Sequence, residues 1–249
     1  PSGVGTQTKY MIEALLKTNR YSFVCLGGAM QHTDYTPVNV EPYGQDWTIY
    51  PVDGYGNHEI IRSILQKEKP DLVWFMTDPR FYEWLWEIEN EVRANVPMVY
   101  YHVWDNFPAP HFNAKWYRSN DHVACISKVT HEIVKQVAPQ VDSSYLPHAV
   151  NASIFRPSHT ADEKAEAAKI RENILEASQE KNPNPKKKIF FWNSRNARRK
   201  QSGTLVWWFK EFLDEVGHDK AVLLMHTDPR DPHGQDLPHI IEHLGITDG

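Results

Sequence analysis

Short apolar runs of four to seven residues alternate along the chain with amphipathic stretches of ten or more. That alternation predicts a repeating βα pattern and a mostly parallel, doubly wound sheet covered on both faces. Tyr10, Met11, Ala14 and Leu15 recur at helical spacing, and Asn19-Arg20 closes this first helix. An apolar strand follows over 21–26, ended by Gly27-Gly28, and a second over 47–52. A helix over 57–67 carries Ile60, Ile61, Ile64 and Leu65 on one side, and Pro70-Asp71 opens a strand over 72–76. The pattern over 80–93 predicts one helix with an aromatic face made by Phe81, Trp84, Leu85 and Ile88. Strands are expected over 98–103, 122–126 and 145–150, with Ser127 capping a helix that runs through Ile133 and Val137.

The rhythm then changes. Residues 1–150 form one expected domain, and 151–185 read as a linker with an alanine- and charge-rich helix over 161–178 and a loop at Lys181-Asn-Pro-Asn-Pro. Residues 186–249 begin a second α/β unit, with strands over 188–192 and 221–226 and helices over 202–216 and 235–244. The chain opens on a glycine loop with no strand ahead of it, and it stops where another strand is due. A piece cut at both ends is therefore expected, with the first strand of the first domain missing.

Composition is that of a globular protein, and a formal net charge of −5 with no long basic tract argues against a nucleic-acid partner. Cys25 and Cys125 both lie in apolar runs, which suits buried thiols better than a disulfide framework. No apolar run approaches the ~20 residues of a membrane helix and no leader is visible, so the expected location is cytoplasmic. His226, Asp228, Asp231 and His233 lie among prolines without helical ligand spacing, and no metal site is expected there.

The chemistry gathers near the second unit's first strand. The run from Ile189 to Lys200 is an apolar strand that opens into a loop carrying Arg195 and Lys200, just ahead of a helix starting at Gln201. The carboxyl end of a strand, followed by a helix N-terminus with free N–H groups, suits an anionic phosphate. The competing reading is a solvated basic turn. Gly3 and Gly5 would let backbone N–H groups approach the same ligand, or they form only a helix-entry turn. His102 closes a buried strand and is expected to contact a sugar or acceptor rather than to be a satisfied core histidine. Asp105 either lines a site or caps the next turn.

Several of these segments together resemble glycosyltransferase family 4: Ser2-Gly3-Val4-Gly5-Thr6-Gln7-Thr8; Tyr100-Tyr101-His102-Val103-Trp104-Asp105-Asn106; Cys125-Ile126-Ser127-Lys128; Leu146-Pro147-His148-Ala149-Val150-Asn151 with Phe155-Arg156-Pro157; and the Arg195/Lys200 loop. The resemblance spans almost the whole chain. It implies a GT-B-like fold, with a Rossmann-like acceptor-side domain at 1–150 and the start of a Rossmann-like donor-binding domain at 186–249. It also implies retaining, metal-independent transfer from a nucleotide sugar to a carbohydrate, lipid or protein acceptor, with no cofactor, and peripheral membrane contact in the full-length protein. On this reading Arg195, Lys200, Gly3 and Gly5 bind the donor phosphates, and His102 and Asp105 act at the catalytic centre, in the cleft between the domains. The hinge departs from the family's Pro-Asn-Gly-Val-Asp, reading Pro147-His148-Ala149-Val150-Asn151, which puts the role of the last acidic position in doubt. The donor-site glutamates of the family would lie beyond Gly249, and this 249-residue chain is expected not to be a competent transferase by itself. The alternatives are a non-catalytic carbohydrate or nucleotide-sugar binding module, or another GT-B-like enzyme such as an epimerase or phosphorylase.

Overall fold

The computed structural model describes residues 3–28, 32–177 and 184–246. Pro1, Ser2, the expected loop residues 181–183 and the terminal 247–249 lie outside them. The chain divides into two compact units, Pro1–Phe155 and Arg156–Gly249.

In the first unit, helix α1 (Gly3–Leu16) leads to strand β1 (Phe23–Gly27), which pairs in parallel with β3 (Gly44–Pro51). The face that α1 buries is set by Ile12 and Leu16, which pack on Trp47; Ala14, expected on that face, is exposed. A short strand β2 (Val38–Val40) pairs antiparallel with β3. Three residues are too few for alternation to show, and β2 is absent from the sequence reading for that reason. Helix α2 (His58–Glu68) starts where Asn57 accepts a hydrogen bond from the Ile60 N–H, and it ends at Lys69 in the left-handed conformation.

A second, four-stranded parallel sheet is formed by β4 (Val73–Thr77), β5 (Met98–His102), β6 (His122–Cys125) and β7 (Ser143–Tyr145), in that order. Alternation puts Phe75, Tyr100 and Val123 on one face and Met76, Tyr101 and Ala124 on the other. Between β4 and β5 the expected long helix is broken into a 3₁₀ turn (Pro79–Phe81), α3 (Glu83–Trp86) and α4 (Glu89–Arg93). Tertiary packing overrides the local pattern here. Trp86 is drawn into the core, stacks on Trp116 and donates to Asn120 Oδ1 at 3.2 Å. The short helix α5 (Ala114–Arg118) brings Tyr117 into the same core. Ser127 caps α6 (Lys128–Val137) as expected, accepting from the Thr130 N–H at 3.0 Å. β7 ends at Tyr145 rather than continuing to 150. Pro147 has no N–H to give a ladder, and side chains hold the segment instead: Tyr101 Oη donates to the Leu146 carbonyl at 2.6 Å, and Gln7 brackets Ala149.

The second unit begins with α7 (Ala161–Ala177), which buries Leu175. Strand β8 (Lys188–Asn193) pairs in parallel with β9 (Ala221–His226), with α8 (Ser202–Val216) between them in sequence and α9 (Leu237–His243) after them. Trp207 and Trp208 on α8 are exposed, at 51% and 61%. Cys25 and Cys125 are free thiols in different sheets, and burial raises them to about 11 and about 12.

Candidate functional site

In the first unit the carboxyl ends of β4 and β5 lie side by side, with Thr77 in register with His102. The chain leaving them forms an open depression of about 190 Å³ lined by Asp78, Val103, Trp104, Asp105 and Asn106. Asp105 is exposed at this edge, as a site residue must be. Asp78, a residue the sequence reading did not single out, supplies a second carboxylate while also capping the 3₁₀ turn through the Arg80 N–H. Two carboxylates, an amide and an indole form a polar, one-sidedly aromatic surface of the sort that holds a polyol.

His102 is not on that surface. Its exposure is 0%, which corrects the expectation that it faces a cleft, and burial pushes its pKa down to about 3. Both ring nitrogens are engaged: Nδ1 lies 3.0 Å from Tyr100 Oη and Nε2 lies 2.8 Å from Tyr117 Oη. The tautomer follows from the neighbours. Tyr100 Oη donates its proton to the Thr77 carbonyl at 2.6 Å, so it accepts from His102 Nδ1–H. Nε2 is then the acceptor for the Tyr117 hydroxyl, which in turn accepts from Asn113 Nδ2 at 3.3 Å. The result is a directed chain from Asn113 through Tyr117, His102 and Tyr100 to Thr77. Thr77 has φ of 152°, rare for a β-branched residue, and it immediately precedes Asp78. His102 thus positions the main chain that carries Asp78 and does not itself reach a ligand.

Gly3 and Gly5 lie within the first turns of α1, not in a loop ahead of a helix. A Cβ at Gly3 would meet nothing within 4 Å, so the fold itself does not require glycine there. Gln7, from the same motif, acts as a tie: Nε2 donates to the Ala149 carbonyl at 2.8 Å and Oε1 accepts from the Ala149 N–H at 3.3 Å. Two segments 142 residues apart, both quoted above as motif matches, are joined by this one side chain.

In the second unit Arg195 and Lys200 stand where the sequence puts them, between β8 and α8. Arg195, however, is already paired. Its Nε and one terminal nitrogen reach Asp231 Oδ2 and Oδ1 at 2.6 and 3.1 Å, and this fork holds the Asp231 carboxyl down at about 2. Its side chain remains 63% exposed, leaving guanidinium N–H groups for a further anion. Lys200 is exposed at the end of the 3₁₀ turn Arg198–Lys200 and makes no ion pair among the described residues. The loop is shaped by Asn196, which is fully buried. It accepts from Ser202 Oγ and the Gln235 N–H and donates to the Gln235 carbonyl. Gln235 Oε1 takes the Gly203 N–H at 2.8 Å, so one first-turn donor of α8 is satisfied internally. Gly234 is glycine for a steric reason: a Cβ would lie 1.9 Å from the Asn196 carbonyl oxygen. The pairing of Asp231 with Arg195 and the loop-shaping roles of Asn196 and Gln235 do not show in the sequence, because they join residues more than thirty positions apart with no motif spacing.

Among the described residues no group of three histidine, cysteine or acidic side chains is placed to hold a metal ion, and no helix is long and apolar enough to cross a membrane.

No protein-family model matches the sequence, and no curated protein matches it either. Solved structures do match. One is described as trehalose-6-phosphate from E. coli bound with UDP-2-fluoro glucose, at 10% identity and a TM-score of 0.59, covering 99% of this chain and 66% of that one. Another is the apo structure of OtsA, at 9% identity and a TM-score of 0.56, covering 96% of this chain and 65% of that one. The chain spans about two thirds of the length of each. At such identity the likeness shows the fold, which is α/β, Rossmann-like and of the GT-B type.

Proposed function

We propose that the chain belongs to a glycosyltransferase that moves a sugar from a nucleotide-sugar donor to an acceptor. The observation that carries this reading is the Arg195/Lys200 loop at the carboxyl end of β8, ahead of α8, in a chain whose GT-B-type likeness extends over 99% of its length. Support for the donor class comes from the E. coli neighbour, whose structure holds a uridine-diphosphate sugar. The leaving group in such a transfer is a nucleoside diphosphate, whose growing charge needs fixed cations in place before reaction. Arg195 is prepared for this: Asp231 fixes its orientation without covering it, and Lys200 adds a mobile point charge. In the first unit, Asp78, Asp105 and Asn106 would take acceptor hydroxyls at the carboxyl ends of β4 and β5.

Membership of glycosyltransferase family 4, retention at the anomeric carbon and transfer without a metal or other cofactor are the finer parts of the proposal, and they rest on the motif resemblance. A cytoplasmic site of action is proposed on a separate ground, the two free thiols Cys25 and Cys125, which suit a reducing compartment. The test is calorimetric titration of wild type and Lys200→Ala with UDP, GDP and ADP. The proposal expects saturable binding of at least one nucleotide that Lys200→Ala weakens by tenfold or more, about 1.4 kcal/mol. Equal heats for wild type and variant would reduce the loop to a solvated turn.

A further inference from the structure

Apart from the Arg195/Lys200 loop, the second unit carries a pair of unengaged histidines on α9. His239 and His243 lie four positions apart, so they share one side of the helix. Their ring centroids are 6.3 Å apart, with the planes inclined by 33°. Both residues are exposed, and neither ring makes a hydrogen bond or an ion pair among the described residues. His102, by contrast, commits both ring nitrogens inside the core.

The helix that presents the pair is fixed in its roll. Asp236 caps it by accepting from the His239 N–H at 3.2 Å, Pro238 sits in its first turn, and Leu237 is buried. Ile240 packs against α8 so closely that a Cβ at Gly203 would lie 2.6 Å from its Cδ1. With α9 held this way, His239 and His243 both line an open groove of about 380 Å³, whose walls also include Thr204 and Trp207 of α8.

Free imidazoles at this spacing are a chelating pair. An imidazole nitrogen suits zinc, copper and nickel, whereas magnesium and calcium take oxygen ligands. At a metal–nitrogen distance of about 2.1 Å, two rings bound to one ion have their centres about 5–6 Å apart, so a small side-chain rotation closes the observed 6.3 Å. Glu242 completes the order His-x-x-Glu-His, one of the helix-borne arrangements that hold zinc, and it adds an exposed negative charge to the same turn.

We propose that His239 and His243 form a two-histidine site for a divalent transition ion of the zinc class, with water in the remaining positions. The second imidazole meets an ion already held by the first, so the pair binds more tightly than either ring alone. Two protein ligands leave the ion exchangeable, unlike a structural site closed by four. No step of sugar transfer is assigned to this ion, and the site stands on α9 whatever the Arg195/Lys200 loop binds.

The test titrates the 249-residue chain with zinc chloride and follows the histidine ring signals by NMR. Zinc should shift the His239 and His243 rings together, along one saturation curve, while magnesium at the same concentration shifts neither. His239→Ala and His243→Ala, each read at the remaining ring, should weaken zinc binding by at least about tenfold, about 1.4 kcal/mol. Both remove exposed side chains, so the metal-free melting temperature should stay close to that of wild type. Shifts at one ring without the other, zinc shifts confined to other histidines, single-alanine variants that bind as tightly as wild type, or magnesium acting as zinc does, would each overturn the site.

Discussion

His102 should make the first unit acid-sensitive in a way that can be measured residue by residue. Folded, the imidazole is fully buried, neutral and committed at both nitrogens, with a pKa pushed down to about 3 from an ordinary value of 6.5. Unfolded, it takes a proton as pH falls below about 6.5, so between that value and about 3 the unfolded state binds the extra proton. Stability therefore falls with decreasing pH across this window, by about 1.4 kcal/mol per unit. From about pH 7 to about pH 4.5 the loss on this one group is about 2–3 kcal/mol, a sizeable share of the 5–15 kcal/mol of a typical domain. Urea unfolding followed by tryptophan fluorescence, on wild type and His102→Gln across this range, isolates the effect because all other groups titrate in both proteins. The stability advantage of wild type at pH 7 should shrink by about 2–3 kcal/mol at pH 4.5. A difference that stays constant with pH would mean that the folded imidazole titrates normally, and the buried, directed chain would be wrong.

On the proposed function, Arg195→Ala or Lys200→Ala should each cost about 2–4 kcal/mol in the kcat/KM of sugar transfer, the scale for a charge aimed at a developing oxyanion. Lys200→Ala should not move the melting temperature much, because an exposed charge contributes little to stability, whereas Arg195→Ala also removes the fork to Asp231 and should lower it; an unchanged kcat/KM would refute the phosphate role. Gly234→Ala should destabilise the second unit by about 1–3 kcal/mol in chemical denaturation, since its Cβ would meet the Asn196 carbonyl oxygen at 1.9 Å, whereas Gly3→Ala, with open space around it, should be tolerated. Gln7→Ala should loosen the segment around Ala149, seen as faster exchange of its amide, with at most about 1–2 kcal/mol lost overall.

Where burial follows a period, the sequence was easy to read. β9 and α8 fall where their apolar spacing puts them, and Ser127 caps α6 through the bond its position implies. Reading failed where distant contacts decide. The break between α3 and α4 depends on Trp86 finding Trp116 and Asn120, and the early end of β7 depends on Gln7 and Tyr101. The candidate sites show the same division. Arg195, Lys200 and Asp105 stand at strand ends because topology alone puts them there. The fate of His102 depends on Tyr117, a residue on a helix too short to show in the pattern. Asp231, the partner of Arg195, lies 36 residues away in a proline-rich loop with no periodic signal.

The central claim is that the Arg195/Lys200 loop receives the diphosphate of a nucleotide sugar. The most direct measurement is a nitrogen–proton NMR titration of the 249-residue chain with UDP, set against uridine, which has the base and ribose but no phosphate. The account predicts saturable shifts in the main-chain amides from Asn193 to Gly203 with UDP, none there with uridine, and loss of the UDP response in Lys200→Ala. Identical responses to UDP and uridine at that loop, or silence there while shifts appear elsewhere, would contradict it.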